Sequence, residues 1–332
     1  GLTPSLVSGP GGGIGRRGGL KPPWLSRVVW VRTPPRAPHI AMASHLRCRY
    51  GVGRSTREGS CMPLNLARDG RRISYAQSGE DIVLLRAFGD QPDGRWVDVG
   101  ANDPVKDSVT KNFSDLGWRG INVEPVPMLH ERLVQQRPLD VNIRAVVSST
   151  PGRMTFHQHR TNPDLSTLDD FLAAIYRERG DVLDDIDVEV VTLADLCVRH
   201  LDREIIDFLK VDTEGHELQV LAGHDFERFP VRAVCAEATW ERLDAIVELL
   251  RERSMVFVNF DGLNAWFVRS TEVDTLGHAL STPANAILDW FHPEVYLTQI
   301  ERLSFEVSVY RQSAAQNRRS GPLRRLFRKF RR

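Results

Sequence analysis

The feature that most constrains the fold of this chain is a regular alternation of short apolar runs and longer amphipathic segments, from about residue 73 to residue 254. Short apolar runs predict strands, and segments with apolar residues three and four positions apart predict helices. Strands that alternate with helices of this length form βαβ units, which predicts an α/β fold with a parallel, doubly wound sheet. The predicted strands include WVDV, GINVE, VNIRAVV, EIIDFLKVD and VRAVCAE, and the predicted helices include DSVTKNFSDLG, PMLHERLVQQR, GHELQVLAG and WERLDAIVELLRER.

The two ends of this alternating region carry further signals. Residues 78–88, SGEDIVLLRAF, predict the first helix, with Ser78 as its N-cap and Asp81 at the capping-box position. At the other end, MVFVNF and LNAWFV flank an Asp-Gly turn, which predicts an antiparallel hairpin. We therefore expect a parallel sheet that is closed at one edge by an antiparallel pair of strands.

Charge is distributed unevenly along the 332 residues, although the formal net charge is only +1. Residues 1–60 contain ten Lys and Arg and one acid, Glu58, and residues 317–332 contain eight basic residues and no acid. The central part is therefore acidic, which does not suit a nucleic-acid channel, and no nucleic-acid partner is expected.

Composition divides the chain into four predicted segments. Residues 1–72 are basic and rich in Gly, Pro and Arg, so we expect them to be disordered, with Met42 and Met62 as candidate translation starts. The folded domain is predicted to span residues 73–275. It is followed by a C-terminal extension, 276–316, and by a basic tail, 317–332.

The basic tail has four apolar residues on one face of a possible helix, Leu323, Leu326, Phe327 and Phe330. This pattern is typical of a helix on an anionic membrane surface, and a solvated end is an equal alternative. No apolar run approaches the roughly 18 residues of a membrane span. None of the four cysteines forms a C-x-x-C pair, so the expected location is cytoplasmic with reduced thiols, and with peripheral membrane contact only through the tail.

The stretch RWVDVGANDP, residues 95–104, places polar residues at the end of a predicted strand. Ligands of open α/β sheets bind beyond the carboxyl ends of the strands, where the strand order reverses. Gly100 allows a close backbone approach, and Glu124 ends the next strand, where an acid can accept both hydroxyls of a ribose. A single glycine is a poor cradle for a pyrophosphate. The stretch therefore fits an adenosyl ligand such as S-adenosylmethionine, whose ammonium and sulfonium would match the negative Asp98.

Five stretches together resemble the FkbM-type S-adenosylmethionine-dependent methyltransferases, over about residues 75–270. The resemblance implies a Rossmann-like class I methyltransferase fold for residues 73–275, and methylation of hydroxyls on sugars or polyketide-like metabolites. It implies cofactor contacts for Asp98, Gly100, Asn102 and Glu124, and it places the strand end 145–148 near the adenine. The matching stretches are AQSGED (76–81), WVDVGANDP (96–104), GWRGINVEP (117–125), DFLKVDTEGHE (207–217) and CAE (235–237).

The stretch KVDTEGHE carries the predicted catalytic residues, Asp212, Glu214 and His216, at the end of the fourth predicted strand. Methyl transfer to a hydroxyl needs close positioning and removal of a proton. Histidine has the better intrinsic pKa for a base, although a position in the first turn of a helix could point it away. Glu217 is interpreted as an acid that interacts with the helix dipole. Asp212, Glu214 and Glu237 could instead ligate magnesium, but no metal site is predicted.

Two histidines and two tryptophans allow both a functional and a structural interpretation. His157 and His159 face the same side of a predicted strand, but a third zinc ligand is not nearby in the sequence. Trp118 and Trp266 are predicted to belong to the core or the cleft wall rather than to stack on a sugar.

The predicted function is an S-adenosylmethionine-dependent O-methyltransferase that acts on a glycan or a small hydroxylated metabolite. N-methylation of a similar substrate is the alternative, although no Asn/Asp-Pro-Pro-Tyr motif follows the fourth strand. A non-catalytic module of the same fold is disfavoured by the intact acids, and a nicotinamide dehydrogenase by the single-glycine loop.

Overall fold

The computed structural model describes residues 65–201, 205–299, 302–303 and 307–308. The predictions for residues 1–64 and 309–332, which include N-terminal disorder and the amphipathic tail, lie outside the described residues. The strands are β1 Arg72–Ser74, β2 Arg95–Val99, β3 Arg119–Val123, β4 Val141–Ile143, β5 Val146–Val147, β6 Gly152–His159, β7 Leu183–Val191, β8 Ile206–Val211, β9 Val231–Glu237, β10 Met255–Phe260, β11 Asn264–Arg269 and β12 Phe291–Pro293. The α-helices are α1 Glu80–Phe88, α2 Lys111–Asp115, α3 Pro127–Gln136, α4 Asp170–Glu178, α5 Leu193–His200, α6 Glu217–Ala222, α7 Trp240–Glu252 and α8 His278–Leu280.

The central sheet has seven strands in the order β4-β3-β2-β8-β9-β11-β10. β2 pairs in parallel with β3 and β8, β3 with β4, and β8 with β9, whereas β11 is antiparallel to both β9 and β10. The chain builds outward from β2 to β4 and then returns to the other side of β2. The strand order therefore reverses between β2 and β8. The predicted α/β fold, a parallel doubly wound sheet closed by an antiparallel hairpin, is confirmed.

A second sheet of three strands, in the order β5-β7-β6, is formed by the chain between β4 and β8. The prediction that VNIRAVV forms one strand is wrong, because β4 pairs with β3 whereas Val146 and Val147 pair with Val190 and Val191 of β7. β6 and β7 form a long antiparallel pair whose connection contains α4. Neither β7 nor α4 was predicted from the sequence.

The start of α1 differs from the prediction. Gly79, with a φ of 80°, is the N-cap, and no side chain caps the helix. Ser78 instead donates its backbone N–H to Glu80 Oε2 at 2.8 Å. Asp81 accepts from Ser74 Oγ at 2.7 Å and from the Tyr75 N–H at 2.8 Å. The predicted Ser78 cap and capping box are therefore wrong, and the two acids fix the segment that precedes the helix.

Alternate side chains of the central strands enter two apolar cores, one on each face of the sheet. Val97 and Leu209 belong to the first core, and Trp96 and Phe208 to the second. Trp118 and Trp266 are 1% and 0% exposed and also lie in the second core. Their interpretation as core residues is confirmed.

The chain beyond residue 275 returns to the start of the domain. β12 pairs in parallel with β1, and Leu276, Leu280 and Phe291 enter the same core as α1. The described part of the predicted C-terminal extension therefore packs on the domain. None of the helices in the described ranges has the length and apolar character that crossing a lipid bilayer requires.

Candidate active site

The turn after β2 is shaped by the close approach of the end of β8. Gly100 has a φ of 80°, and a Cβ at this position would lie 1.8 Å from the carbonyl oxygen of Asp212. The N–H groups of Gly100 and Ala101 donate to the Val123 carbonyl at 3.0 and 3.1 Å, and the Asp212 N–H donates to the Val99 carbonyl at 3.0 Å. This glycine is therefore required by the neighbouring backbone, and the turn ties together the carboxyl ends of β2, β3 and β8.

Glu124 closes this turn from the end of β3. Its Oε2 accepts from the Asn102 N–H at 2.9 Å, and its Oε1 accepts from the Val126 N–H at 2.8 Å. The residue is 4% exposed, and burial raises the pKa of its carboxyl to about 7. Each oxygen of a carboxylate has a second lone pair, so Glu124 can still accept a hydrogen bond from a ligand hydroxyl.

Lys210 of β8 is a buried cation that the sequence analysis missed. Its ammonium donates to the Gly100 carbonyl and to Asp212 Oδ2, both at 3.1 Å, and lies 3.8 Å from Asp98 Oδ1. Burial lowers the pKa of Lys210, but the Asp212 and Asp98 carboxylates outweigh burial and raise it overall. A lone lysine inside the apolar run DFLKVD was the available signal, because a buried charge requires a charged partner.

Asp98 lies beneath the cleft rather than among the residues that line it. It is 1% exposed, its Oδ2 accepts from Thr110 Oγ1 at 3.2 Å, and its Oδ1 has no hydrogen-bond partner among the described residues. Burial raises the pKa of this carboxyl, and the Lys210 ammonium opposes the rise. Asp98 therefore lies behind Lys210, a cleft-lining residue whose ammonium it helps to keep charged.

A cleft of about 340 Å³ opens at the point where the strand order reverses. This volume is within the range of about 300–1,000 Å³ that is usual for small-molecule sites. Five of the predicted site residues line it, namely Gly100, Asn102, Glu124, Asp212 and Glu214. Its apolar wall consists of Val99, Val123, Val126, Leu129, Ala145, Val146, Val147, Phe156, Leu165 and Leu168.

The connection between β6 and α4 contributes a further wall. It contains a short 3₁₀ helix, Pro163–Leu165. Asp164 Oδ1 accepts from Asn102 Nδ2 at 2.8 Å, and Thr167 Oγ1 donates to the Glu214 carbonyl at 2.7 Å. The connection therefore ties the turn after β2 to the turn after β8, a role that the sequence analysis did not assign to it.

Three carboxylates meet at the ends of β8 and β9. Oxygen atoms of Asp212, Glu214 and Glu237 lie within 4.8 Å of one another, and all three residues are half-buried. Glu214 has a φ of 51°, which is uncommon for a residue with a side chain. Uncommon backbone conformations persist where the surrounding bonds impose them, and they cluster at functional sites.

Crowding of these carboxylates changes their proton affinity. Burial, and then the Asp212 and Glu217 carboxylates, raise the pKa of Glu214 to about 7. Burial and the Asp212 and Glu214 carboxylates raise the pKa of Glu237 still further, and Glu237 shares a hydrogen bond with Asp212. Crowding therefore favours the protonated form of Glu237, whereas Glu214 can both accept and release a proton near neutral pH.

Glu217 holds the turn that presents Glu214. Its Oε1 accepts from the Thr213 N–H at 3.0 Å, from Thr213 Oγ1 at 3.2 Å and from the Gly215 N–H at 2.9 Å. It lies in the first turn of α6, as its interpretation as a helix N-terminal acid predicted. These bonds add a positioning role, because they fix the backbone on both sides of Glu214.

His216 does not reach the cleft. It precedes α6, is 9% exposed, and its Nε2 shares a hydrogen bond of 2.9 Å with Ser148 Oγ. Burial lowers its pKa. The turn therefore directs His216 towards the end of β5 and away from the residues that line the cleft. This position does not support the predicted catalytic role of His216.

The two histidines of FHQHR do not belong to a group of side chains that could hold a metal, within the part of the chain that the structure describes. Nδ1 of His157 lies 2.6 Å from Asp185 Oδ1, and its Nε2 lies 2.9 Å from Asp170 Oδ1. Among the residues that the structure describes, the only group of His, Cys, Asp and Glu side chains with an arrangement that could hold a metal is the carboxylate cluster of Asp212, Glu214 and Glu237. Oxygen ligands of this kind suit magnesium, so the magnesium alternative concerns this cluster alone.

The strand order, with a cleft at its reversal point, defines a Rossmann-like class I methyltransferase fold. The family follows from a separate comparison, in which residues 98–258 match the family model described as the methyltransferase FkbM domain. Residues 98–258 thus form an FkbM-type methyltransferase domain, and the protein is an S-adenosylmethionine-dependent methyltransferase.

Solved structures of methyltransferases show only distant similarity. A TehB-like SAM-dependent methyltransferase from Corynebacterium glutamicum is 12% identical, with coverage of 57% of this chain and 87% of that chain and a TM-score of 0.32. A precorrin-6y C5,15-methyltransferase from Geobacter metallireducens is 12% identical, with coverage of 63% and 97% and a TM-score of 0.32. The comparison with curated proteins gives no match. These similarities carry no information on the acceptor.

Proposed function

We propose that the protein transfers the methyl group of S-adenosylmethionine to a hydroxyl of a glycan or of a small hydroxylated metabolite. The observation that supports this proposal is the carboxylate cluster of Asp212, Glu214 and Glu237 beside the cleft. A hydroxyl is a weak acid, so its methylation benefits from a base next to the reacting oxygen. Glu214, with a pKa raised to about 7, suits that role at neutral pH.

The residues of the cleft fit the donor part by part. The apolar side chains of Val146, Val147 and Phe156 suit the adenine, and Glu124 suits the ribose hydroxyls. The aminoacyl part carries both an ammonium and a carboxylate, which suit the Gly100 carbonyl and the Lys210 ammonium respectively. Asn102, Asp98 and Asp212 complete this end of the proposed site, with Asp98 acting through Lys210.

In the proposed reaction, the acceptor oxygen bonds to the methyl carbon while the bond between that carbon and sulfur breaks. The hydroxyl proton moves to the Glu214 carboxylate. The donor supplies an activated methyl group on a positively charged sulfur. The Lys210 ammonium donates to Asp212 Oδ2 at 3.1 Å and holds this carboxylate at the strand end. This fixed negative charge favours the approach of a cationic donor.

An exposed aromatic side chain, three residues after Glu237 in the chain, supports a carbohydrate acceptor. Trp240 is the first residue of α7 and follows Glu237 closely in the chain. It is 70% exposed, and its ring meets the ring of Phe260 edge-on, with 4.6 Å between the centroids. A large ring that is held by an aromatic neighbour and open to solvent offers a flat surface to the C–H face of a sugar. Neither Trp118 nor Trp266 can do this, because both are buried.

N-methylation remains the alternative, because the acidic cluster would also attract a protonated amine. The experiment that separates the two reactions uses purified protein, methyl-labelled donor, and separate glycan and small-molecule fractions, with mass spectrometry of the labelled product. A methyl ether on a hydroxyl supports the proposal, whereas a methylamine would replace it with the alternative. Donor binding without any labelled product would point to a non-catalytic module.

The same assay tests the proposed base. Glu214→Gln should slow transfer by about a hundredfold or more, the usual effect of losing a general base. Glu248→Gln is the control, because Glu248 is an exposed carboxylate of α7 that pairs with Arg251. Equal rates for the two variants would contradict the assignment of Glu214.

A further inference from the structure

A turn before β12 exposes apolar side chains that belong to neither core. Ile287 and Leu288 are 82% and 79% exposed, and Trp290 is 55% exposed. Leu66, which pairs with Arg72 beside β12, is 46% exposed. We call these four residues the apolar turn surface.

The turn is held firmly, although its apolar side chains face solvent. The side chain of Asn285 accepts from the N–H groups of Ile287 and Leu288 at 3.0 and 3.1 Å. The guanidinium of Arg86, on α1, donates twice to Asp289, at 3.0 and 2.8 Å. It also donates to backbone carbonyls in the segment before the turn, at 2.8 Å each for Ala279 and Thr282. A turn fixed by hydrogen bonds therefore presents the side chains of Ile287 and Leu288 to solvent.

Basic side chains flank this surface. The guanidinium of Arg71 lies 4.5 Å from the centroid of the Trp290 ring, and the Arg72 N–H donates to the Trp290 carbonyl at 3.1 Å. Arg68 is exposed in the same segment. The nearby acids are engaged, since Asp289 pairs with Arg86 and Asp69 lies 3.3 Å from Arg71 and 2.8 Å from His292. The aliphatic side chains of the turn would enter the lipid first, and Trp290 and the arginines would follow at the level of the headgroups. Tryptophan and arginine favour that level in membranes.

We propose that the apolar turn surface inserts into the headgroup region of an anionic lipid bilayer. The chain outside the described residues supports lipid as the occupant, because residues 317–332 carry eight basic residues and no acid. Basic segments are attracted to anionic lipids, and one apolar insertion combined with a basic segment gives the two signals that stable membrane contact requires. This inference is independent of the acceptor and of the proposed reaction.

The test is co-sedimentation of the full chain with vesicles of equal parts phosphatidylcholine and phosphatidylglycerol. The double variant Ile287→Asp/Leu288→Asp should bind these vesicles about tenfold more weakly or worse, because both apolar anchors are lost. The matched control is Leu139→Asp/Val198→Asp, which changes net charge equally at two exposed aliphatic residues elsewhere, 69% and 52% exposed. The control should bind like the unaltered chain, and thermal unfolding of both variants verifies that they fold.

Two further measurements make the test decisive. Quenching of tryptophan fluorescence by brominated lipid should be weaker in Trp290→Phe than in the unaltered chain, since Trp290 would lie at headgroup depth. Vesicle binding that is equal in the two double variants would overturn the proposal and leave the tail as the sole anchor. Absence of vesicle binding by the full chain would also overturn it, as would a change from dimer to monomer in the turn variant, which would identify the surface as a contact between two copies.

Discussion

At the scale of single residues, the proposed chemistry depends on carboxylates that share protons in a confined space. Asp212 is stabilised by the Lys210 ammonium at 3.1 Å, whereas Glu214 and Glu237 have raised pKa values. Carboxyl groups whose surroundings give them different pKa values can take different roles at one pH. Here Glu237 would hold a proton while Glu214 exchanges one.

The raised pKa of Glu214 predicts how the rate of methyl transfer depends on pH. Only the carboxylate form can accept a proton, so methyl transfer should rise as the pH increases through about 7 and should be lost below it. A carboxyl at its ordinary pKa of about 4.3 would instead give a flat profile between pH 6 and pH 8. The measurement is the pH dependence of kcat/KM for the acceptor. A flat profile in that window would contradict Glu214 as the base.

A second prediction concerns the buried pair of Lys210 and Asp98, whose charged atoms lie 3.8 Å apart. Lys210→Met should destabilise the fold by about 3–5 kcal/mol, because it leaves a carboxylate buried without its cation. Adding Asp98→Asn should restore much of this loss, since the buried charge is then gone. Denaturant unfolding of both single variants and of the double variant tests the coupling. Additive losses would show that the two residues do not act as a pair.

Among single residues, the sequence indicated those at the carboxyl ends of strands but not those inside them. Glu124, Asp212 and Glu214 line the cleft because parallel strands end at one edge of a sheet. Lys210 was missed because it lies within an apolar run. For His216 the sequence left both directions open, because its direction depends on the turn that Glu217 holds, a contact that spacing along the chain cannot reveal.

At the scale of elements, the central sheet was predictable because its strands are continuous apolar runs between strong helices. The pair β6 and β7 was not. β7 reads LDDIDVEVV, and the alternation of apolar and acidic residues from Ile186 to Val190 is a strand signal that was overlooked. The change of partner between β4 and β5 was also hidden, because the choice of partner depends on β7.

Gly100 gives a prediction at the scale of elements, because it joins three strand ends. Gly100→Ala should abolish donor binding and lower stability well beyond the cost of a positive φ, since its Cβ would lie 1.8 Å from the Asp212 carbonyl. Gly180→Ala is the matched control, with a φ of 92° and open space around the new Cβ. The control should cost only about 1 kcal/mol. Calorimetry and thermal unfolding measure both effects, and equal behaviour of the two variants would refute the steric explanation.

At the scale of the whole molecule, the described domain is closed by its own C-terminal part. β12 pairs with β1, and Leu280 and Phe291 complete the core around α1. A chain that ends at Thr275 should therefore fail to fold, because it exposes that core, whereas a chain that ends at Ser308 should fold. Circular dichroism and thermal unfolding of the two forms test this. A stable, cooperative form that ends at Thr275 would show that the later residues are dispensable.

We propose that a cationic methyl donor binds beside carboxyl groups that hold protons near neutral pH. A positive charge nearby lowers the pKa of a carboxyl, so donor binding at pH 7 should release protons from Glu124 and Glu214, both of which have a pKa near 7. Glu124→Ala should also weaken binding by about tenfold to a hundredfold, through loss of a buried acceptor that is worth about 1.5–3 kcal/mol.

The most direct measurement is titration calorimetry of S-adenosylmethionine at pH 7, in phosphate and in Tris, whose ionisation enthalpies differ. We expect binding with net proton release from the unaltered chain, and a smaller release from Glu214→Gln. The control is Asp103→Asn, which changes an acid that pairs with Arg132 outside the cleft. It should release as many protons as the unaltered chain. Binding without proton release, or release that is unchanged in Glu214→Gln, would contradict the placement of the donor beside this cluster.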